Sequence, residues 1–201
     1  MRRAVTITLI VLVAALVAAQ FLIPVIAENQ LAGRLVKDGG TATVSLSAFP
    51  AITLLWESGD SLEIHASGLE AELDTNTQVF KKLDNFNSVD IDLTDVTAGP
   101  VNVKAFHLER EGDEPYHLTL SGSGSPRDLS EFAADQLAGP LGDLAQMIPL
   151  PDVDVPVEVD ATIESDGGNL RLVSGAGTVA GIPAGPIVAS ITAAVVSRIG
   201  L

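Results

Sequence analysis

Apolar and polar positions alternate through much of the chain beyond Thr41, and two long stretches break the alternation. The clearest run is DVDVPVEVDATIE, with Val153, Val155, Val157, Val159, Ala161 and Ile163 on one face and Asp152, Asp154, Glu158, Asp160, Thr162 and Glu164 on the other. Successive side chains of a strand point to opposite faces, so this pattern predicts one long strand with a dry side and a wet side. Pro156 cannot donate to a ladder, which predicts an edge or a bulge there. Leu62, Ile64 and Ala66 alternate with Glu63, His65 and Ser67, and Val89, Ile91 and Leu93 with Asp90, Asp92 and Thr94. Residues 101–110 and 116–121 flank EGDEP, which reads as a hairpin turn, and Asp166-Gly167-Gly168 turns the long strand into residues 170–173. The pattern predicts a sheet of about six to eight mainly antiparallel strands.

Helical signals surround this sheet. Residues 25–37 carry Ile26, Leu31, Leu35 and Val36, with Gly39-Gly40 as the stop. Ser125-Pro126 opens a second helix, with Leu129, Phe132, Ala133 and Leu137 on its stripe. A third begins at Gly185-Pro186 and is apolar almost all round, as in a helix that is buried on most sides or lies against lipid.

The first break in the alternation is residues 4–26, which contain no charge and follow Arg2-Arg3. As a helix they extend roughly 34 Å, enough to cross a hydrocarbon core of about 30 Å. The two arginines predict a cytoplasmic N-terminus. Residues 1–26 read as a signal-anchor, or as a signal peptide cut at Val17-Ala18-Ala19, and residues 27–201 as one extracytoplasmic domain in either case.

The second break is FPAITLLW, residues 49–56, an apolar run that ends in the single tryptophan. It predicts an element started or bent by Pro50 with both faces dry, one on the helix-filled core and the other under an apolar loop or a lipid. A third apolar piece, GPLGDLAQMIPLP, mixes three prolines with Met147 and Ile148 and reads as a loop that plugs the core or forms an exposed rim.

Charge narrows the partners. The chain has a formal charge of −15; residues 1–26 contain two arginines and no acid, so the remainder has 9 basic against 26 acidic residues, or −17. Such a domain is expected to be repelled by nucleic acid and by bare anionic lipid surfaces. With no cysteine there is no disulfide, thiolate metal site or cysteine nucleophile, and stability must come from a packed core.

Candidate chemistry is sparse. A hairpin centred on Gly112 would set His107 opposite His117, but no third histidine lies nearby and the tip is acidic, so a solvent-facing cross-strand pair is expected and no metal. Asp90, Asp92 and Asp95, and Asp152 with Asp154, have strand spacing rather than that of a calcium loop. No GxSxG elbow occurs, and GAGTVAG lacks dinucleotide-binding spacing. No catalytic constellation is present, no cofactor is expected, and the expected class is non-enzymatic.

What the sequence offers instead is more apolar surface than a one-sided sheet needs. A sheet wrapped around a helix could leave an apolar groove, and ligand pockets are mainly apolar and concave. The candidate lining is Phe49, Ile52, Leu54, Leu55 and Trp56 from the apolar run and Phe132 from the second helix. Met147 and Ile148 from the loop and Ile187, Ile191 and Val195 from the last helix complete it. Ordinary core packing is the competing reading for each.

Several segments, in order, resemble the LmeA-like family of actinobacterial envelope proteins. They are an N-terminal membrane or signal segment, IAENQLAGRLV, FPAITLLWESG, VDIDLTDV, SPRDLSEF and VDATIESDGGNLRLVSG with an apolar end. The similarity covers residues 25–200, with Ala48 where the family has a glycine before Phe-Pro and Gly59 at the place of its second glycine. The resemblance implies phospholipid binding, with one member implicated in mannan elongation of lipoglycans. It also implies an α+β fold similar to tubular lipid-binding proteins, a strongly curved, mainly antiparallel sheet wrapped around one or two helices. The expected function is therefore extracytoplasmic phospholipid binding, extending to lipid shuttling, in support of envelope lipid or lipoglycan assembly. A structural or interaction protein of the envelope is the alternative.

Overall fold

The computed structural model describes residues 2–37, 39–71, 80–99, 101–127, 153–175, 178–179 and 182–199. Helix α1 (Arg2–Leu35) is followed by β1 (Thr41–Ser47), a 3-10 helix (Ala51–Trp56), β2 (Gly59–Ser67), β3 (Glu70–Ala71) and the single-turn α2 (Phe80–Leu83). Then come β4 (Phe86–Ala98), β5 (Val101–Glu111), β6 (Tyr116–Gly124), β7 (Val155–Asp166), β8 (Asn169–Ser174), the short β9 (Thr178–Val179) and β10 (Ile182–Pro183), and α3 (Ala184–Ile199).

The strands form an open, mostly antiparallel sheet of eight in the order β1-β2-β4-β5-β6-β7-β8, with β3 also on β4. The parallel pairs are β2 and β3 with β4. They arise because the chain between β2 and β4 returns to the end where β2 began, so that Phe86 starts beside Gly59. β2 and β3 follow one line along β4, broken at Gly68, whose φ of +70° suits glycine. Pro156 pairs with Ser123 on one side and lies beyond the reach of β8 on the other, the edge position its missing N–H requires.

Alternation becomes burial. Ile64, Ile91, Leu108, Leu118 and Ile163 are among the side chains fully buried on the inner face, while Glu63, Glu109, His117 and Asp160 stand on the wet face. α3 supplies Val188, Ile191, Ala194, Val195 and Ile199 to the same core, and the C-terminal end of α1 supplies Leu31 and Leu35. Arg198 Nη2 in the last turn of α3 donates to the Leu35 carbonyl at 3.3 Å, capping the end of α1.

Two expectations are corrected. FPAITLLW is a 3-10 helix rather than an element with two dry faces: Ala51 and Leu54 are buried, but Phe49 is 83 %, Leu55 63 % and Trp56 69 % exposed, with Ile52 also exposed. Pro50 begins it, as expected, and Glu57 closes it in the left-handed region with its N–H on the Leu54 carbonyl. The second correction concerns the hairpin register. The β5–β6 turn is centred one residue later than Gly112, so His107 faces Thr119 and His117 faces Glu109.

The predicted third helix is α3, within two residues of its expected start. The helix predicted from Ser125 begins at Pro126 and Arg127, and the rest of it, with Phe132, lies outside the described residues, as does the loop with Met147 and Ile148.

Candidate functional site

The site grows out of α1. It is one helix from the uncharged N-terminal stretch into the domain, and it is long and apolar enough to cross a membrane. Ile7, Ile10, Leu16, Phe21, Leu22 and Ile26 are exposed on it, whereas Leu31 and Leu35 are buried against the sheet. β1 runs antiparallel to this helix. Glu28 Oε1 accepts the Leu46 N–H at 2.9 Å, and a little over two turns toward the N-terminus Gln20 reaches the 3-10 helix. Gln20 Nε2 donates to the Ala48 carbonyl at 2.8 Å, and its Oε1 accepts the Ala51 N–H at 2.9 Å.

Between α1 and the 3-10 helix lies a groove of about 290 Å³. Ile23, Ile26, Ala27, Gln30, Leu31 and Arg34 line one wall, and Leu46, Leu54, Leu55, Glu57 and Phe86 line the other. Apolar positions predominate, and the polar groups Gln30, Arg34 and Glu57 are few, the usual make-up of a ligand groove. Lys82 Nζ holds Glu57 at 3.0 Å.

Of the predicted lining residues, the structure brings Leu54 and Leu55 to this groove. Phe49, Ile52 and Trp56 are exposed on the 3-10 segment outside the groove, and Ile191 and Val195 are buried in the core. Ile187 belongs to α3. The α1 wall was not anticipated, yet its signal is in the chain: positions 23, 26, 27, 30, 31 and 34 follow the i, i+3, i+4 spacing of a single helix face.

A second, polar cleft of about 630 Å³ opens at the same end of the sheet, around Asp84. Asp84 Oδ1 accepts from Tyr116 Oη at 2.9 Å and from Arg110 Nη1 at 3.2 Å, and Oδ2 accepts from the Ser165 hydroxyl. Arg110 Nη2 also donates to the Leu83 and Phe86 carbonyls, and the guanidinium sits 4.7 Å from the Tyr116 ring centroid. Phe80 packs edge-on against that ring. Burial pushes the Tyr116 hydroxyl well above its ordinary range, so it stays a donor. Every partner of Asp84 ties α2 to a strand, which makes the cluster a structural clasp.

The wet face of the sheet carries a ladder of opposite charges. One cross-strand row reads His65, Asp92, His107, Thr119, Asp160, and the next reads Glu63, Asp90, Glu109, His117, Thr162. His107 Nδ1 is 2.7 Å from Asp92 Oδ1, and His65 Nε2 is 2.8 Å from Glu63 Oε1. Asp90, Asp92 and His107 each present a ligand-type atom within 4.8 Å of the others, the set among the described residues that could hold a cation. Burial alone would lower the His107 pKa, but the hydrogen bonds to Asp92 and Glu109 and the charges of Asp92 and Asp90 outweigh it, and the pKa is raised. The hydrogen bond to Glu63 raises that of His65. The histidines thus relieve repulsion among carboxylates on adjacent strands.

No protein family, curated protein or solved structure matches the chain, so the LmeA-like resemblance rests on the order and pattern of residues given above.

Proposed function

We propose that the protein is a membrane-tethered, extracytoplasmic phospholipid-binding module, non-enzymatic, that serves envelope lipid or lipoglycan assembly by holding an acyl chain between α1 and the 3-10 helix. One observation carries this reading. Ile23 and Ile26 line the groove and also belong to the uncharged stretch of α1, so the groove is continuous with the surface that meets lipid. A chain sliding along that helix never crosses water, which would otherwise cost about 0.8 kcal/mol for each methylene. The volume is at the lower end for ligand pockets, roughly 300–1,000 Å³, and suits one slender chain with the headgroup left outside. In this reading Arg2-Arg3 stay in the cytoplasm, residues 4–26 span the membrane, and the sheet curves around α3 and the end of α1 in the tubular manner that the LmeA-like resemblance implies.

The test uses the full chain in membranes with a phospholipid carrying a photoactivatable group on its acyl chain, and maps the cross-links by mass spectrometry. Labelling of Leu46 and Phe86, which line the inner wall, is expected. Labelling confined to the exposed side of residues 7–26 would sink the proposal and favour a structural or interaction role in the envelope.

A further inference from the structure

The apolar residues that the groove does not use form a second surface. Phe49, Ile52 and Trp56 are exposed together on the 3-10 segment, alongside Leu55. Isolated exposed apolar residues are ordinary, but an adjoining group with two aromatics marks a contact surface. Its neighbour says what it contacts. Gln20 clamps this segment to α1 at the level where α1 exposes Phe21, Leu22, Val25 and Ile26. The two exposed groups thus belong to neighbouring elements joined at Gln20.

Depth follows from helix geometry. Glu28 is the first charge after Arg3, and Gln20 lies six residues before Ile26. At 1.5 Å per residue that places the clamp about 9 Å toward the N-terminus of Ile26 along α1. Interfacial helices bury their apolar faces about 5–10 Å into the boundary between headgroups and acyl chains.

We infer that the Phe49–Trp56 segment is a wedge inserted into the outer leaflet of the bilayer beside α1, fixing how the domain sits on the membrane. This shares with the proposed function only the reading of α1 as a membrane span. Trp56 occupies the interfacial position that tryptophan favours. Next to it, Lys82 reaches Glu57, which brings its ammonium group to the headgroup level, where ammonium groups meet phosphates. The acidic β5–β6 tip lies two to three strands away from β2, roughly 10–15 Å at strand spacing. That is beyond the screening length of about 8 Å at physiological salt.

Because Trp56 is the single tryptophan, the full chain reports on itself. It is reconstituted into phosphatidylcholine–phosphatidylglycerol vesicles, some with bromine on the acyl chains close to the headgroup. The expected result is blue-shifted emission, strong quenching by the brominated lipid and weak quenching by aqueous iodide. The F49D/I52D variant, with unchanged circular dichroism, should lose most of the bromine quenching. Emission at the wavelength of free tryptophan, quenched by iodide and unaffected by bromine, overturns the inference. Cross-linking at Leu46 and Phe86 reads the groove separately, so either proposal can fail while the other stands.

Discussion

The side-chain carbonyl of Gln20 accepts the N–H of Ala51 at 2.9 Å, tying the first residue of the 3-10 helix to a helix 31 residues earlier in the chain. The same side chain donates to Ala48, so both of its polar groups are used. Q20L removes both bonds, and each backbone group left unpaired costs about 1–3 kcal/mol. Amides of residues 51–57 should then exchange faster, while exchange in β4 and β5 stays unchanged. Equal acceleration in both regions would mean that the clamp supports the whole fold instead of the wedge.

Asp84 is the shared acceptor of Arg110, Tyr116 and Ser165. The Arg110 side chain is only 9 % exposed, so D84A leaves a largely buried cation without its carboxylate, at a cost of about 3–5 kcal/mol. Y116F removes one bond and should cost about 1 kcal/mol. Urea titrations of the two variants compare these losses, and the order should be D84A far above Y116F.

Ala27 lines the groove opposite Leu46 and Leu54 and is only partly buried. A27W fills the volume in place of lipid. Displacing two acyl methylenes, at about 0.8 kcal/mol each, weakens binding about tenfold. Photolabelling of Phe86 should drop by that order while the melting temperature holds. Undiminished labelling would show that the chain lies elsewhere.

The raised pKa values of His65 and His107 set a direction for pH dependence. A folded pKa above the unfolded value of about 6.5 means that the protonated histidine stabilises the fold. That contribution is complete below pH 6.5 and is lost as pH rises through the higher folded values. Both side chains are a third to a half exposed, so screening keeps the effect small. The stability difference between wild type and H65N/H107N should therefore be larger at pH 5.5 than at pH 8.5. A difference that grows with pH contradicts the assignment.

The strands were legible because burial on one face writes itself as alternation: 62–66, 89–93 and 155–163 appear where the period-2 pattern sets them, whereas Val153, expected on the dry face of the same strand, lies before β7 begins and is exposed. Strand direction was not, since the pattern of a strand is the same whichever way its neighbour runs, and the β2–β4 pair is parallel. FPAITLLW misled for a different reason. An apolar run predicts removal from water, and burial in the protein and the insertion into lipid proposed above look alike in sequence. His107 faces Thr119, two residues beyond His117, because the centre of the turn within the tip, which composition does not set, moves the register of the whole hairpin.

α1 reaches from Arg2 to Leu35 without a loop, and at its one proline, Pro24, the freed carbonyl belongs to Gln20, the residue already clamped by the 3-10 segment. A flexible linker of about twenty residues would let a domain roam some 25 Å from its anchor. This domain has no such slack. With α1 kept in the membrane as proposed above, a lipid held by the domain would be handed over at the bilayer surface, to an acceptor that comes to it, because the stalk is a shaft and not a leash.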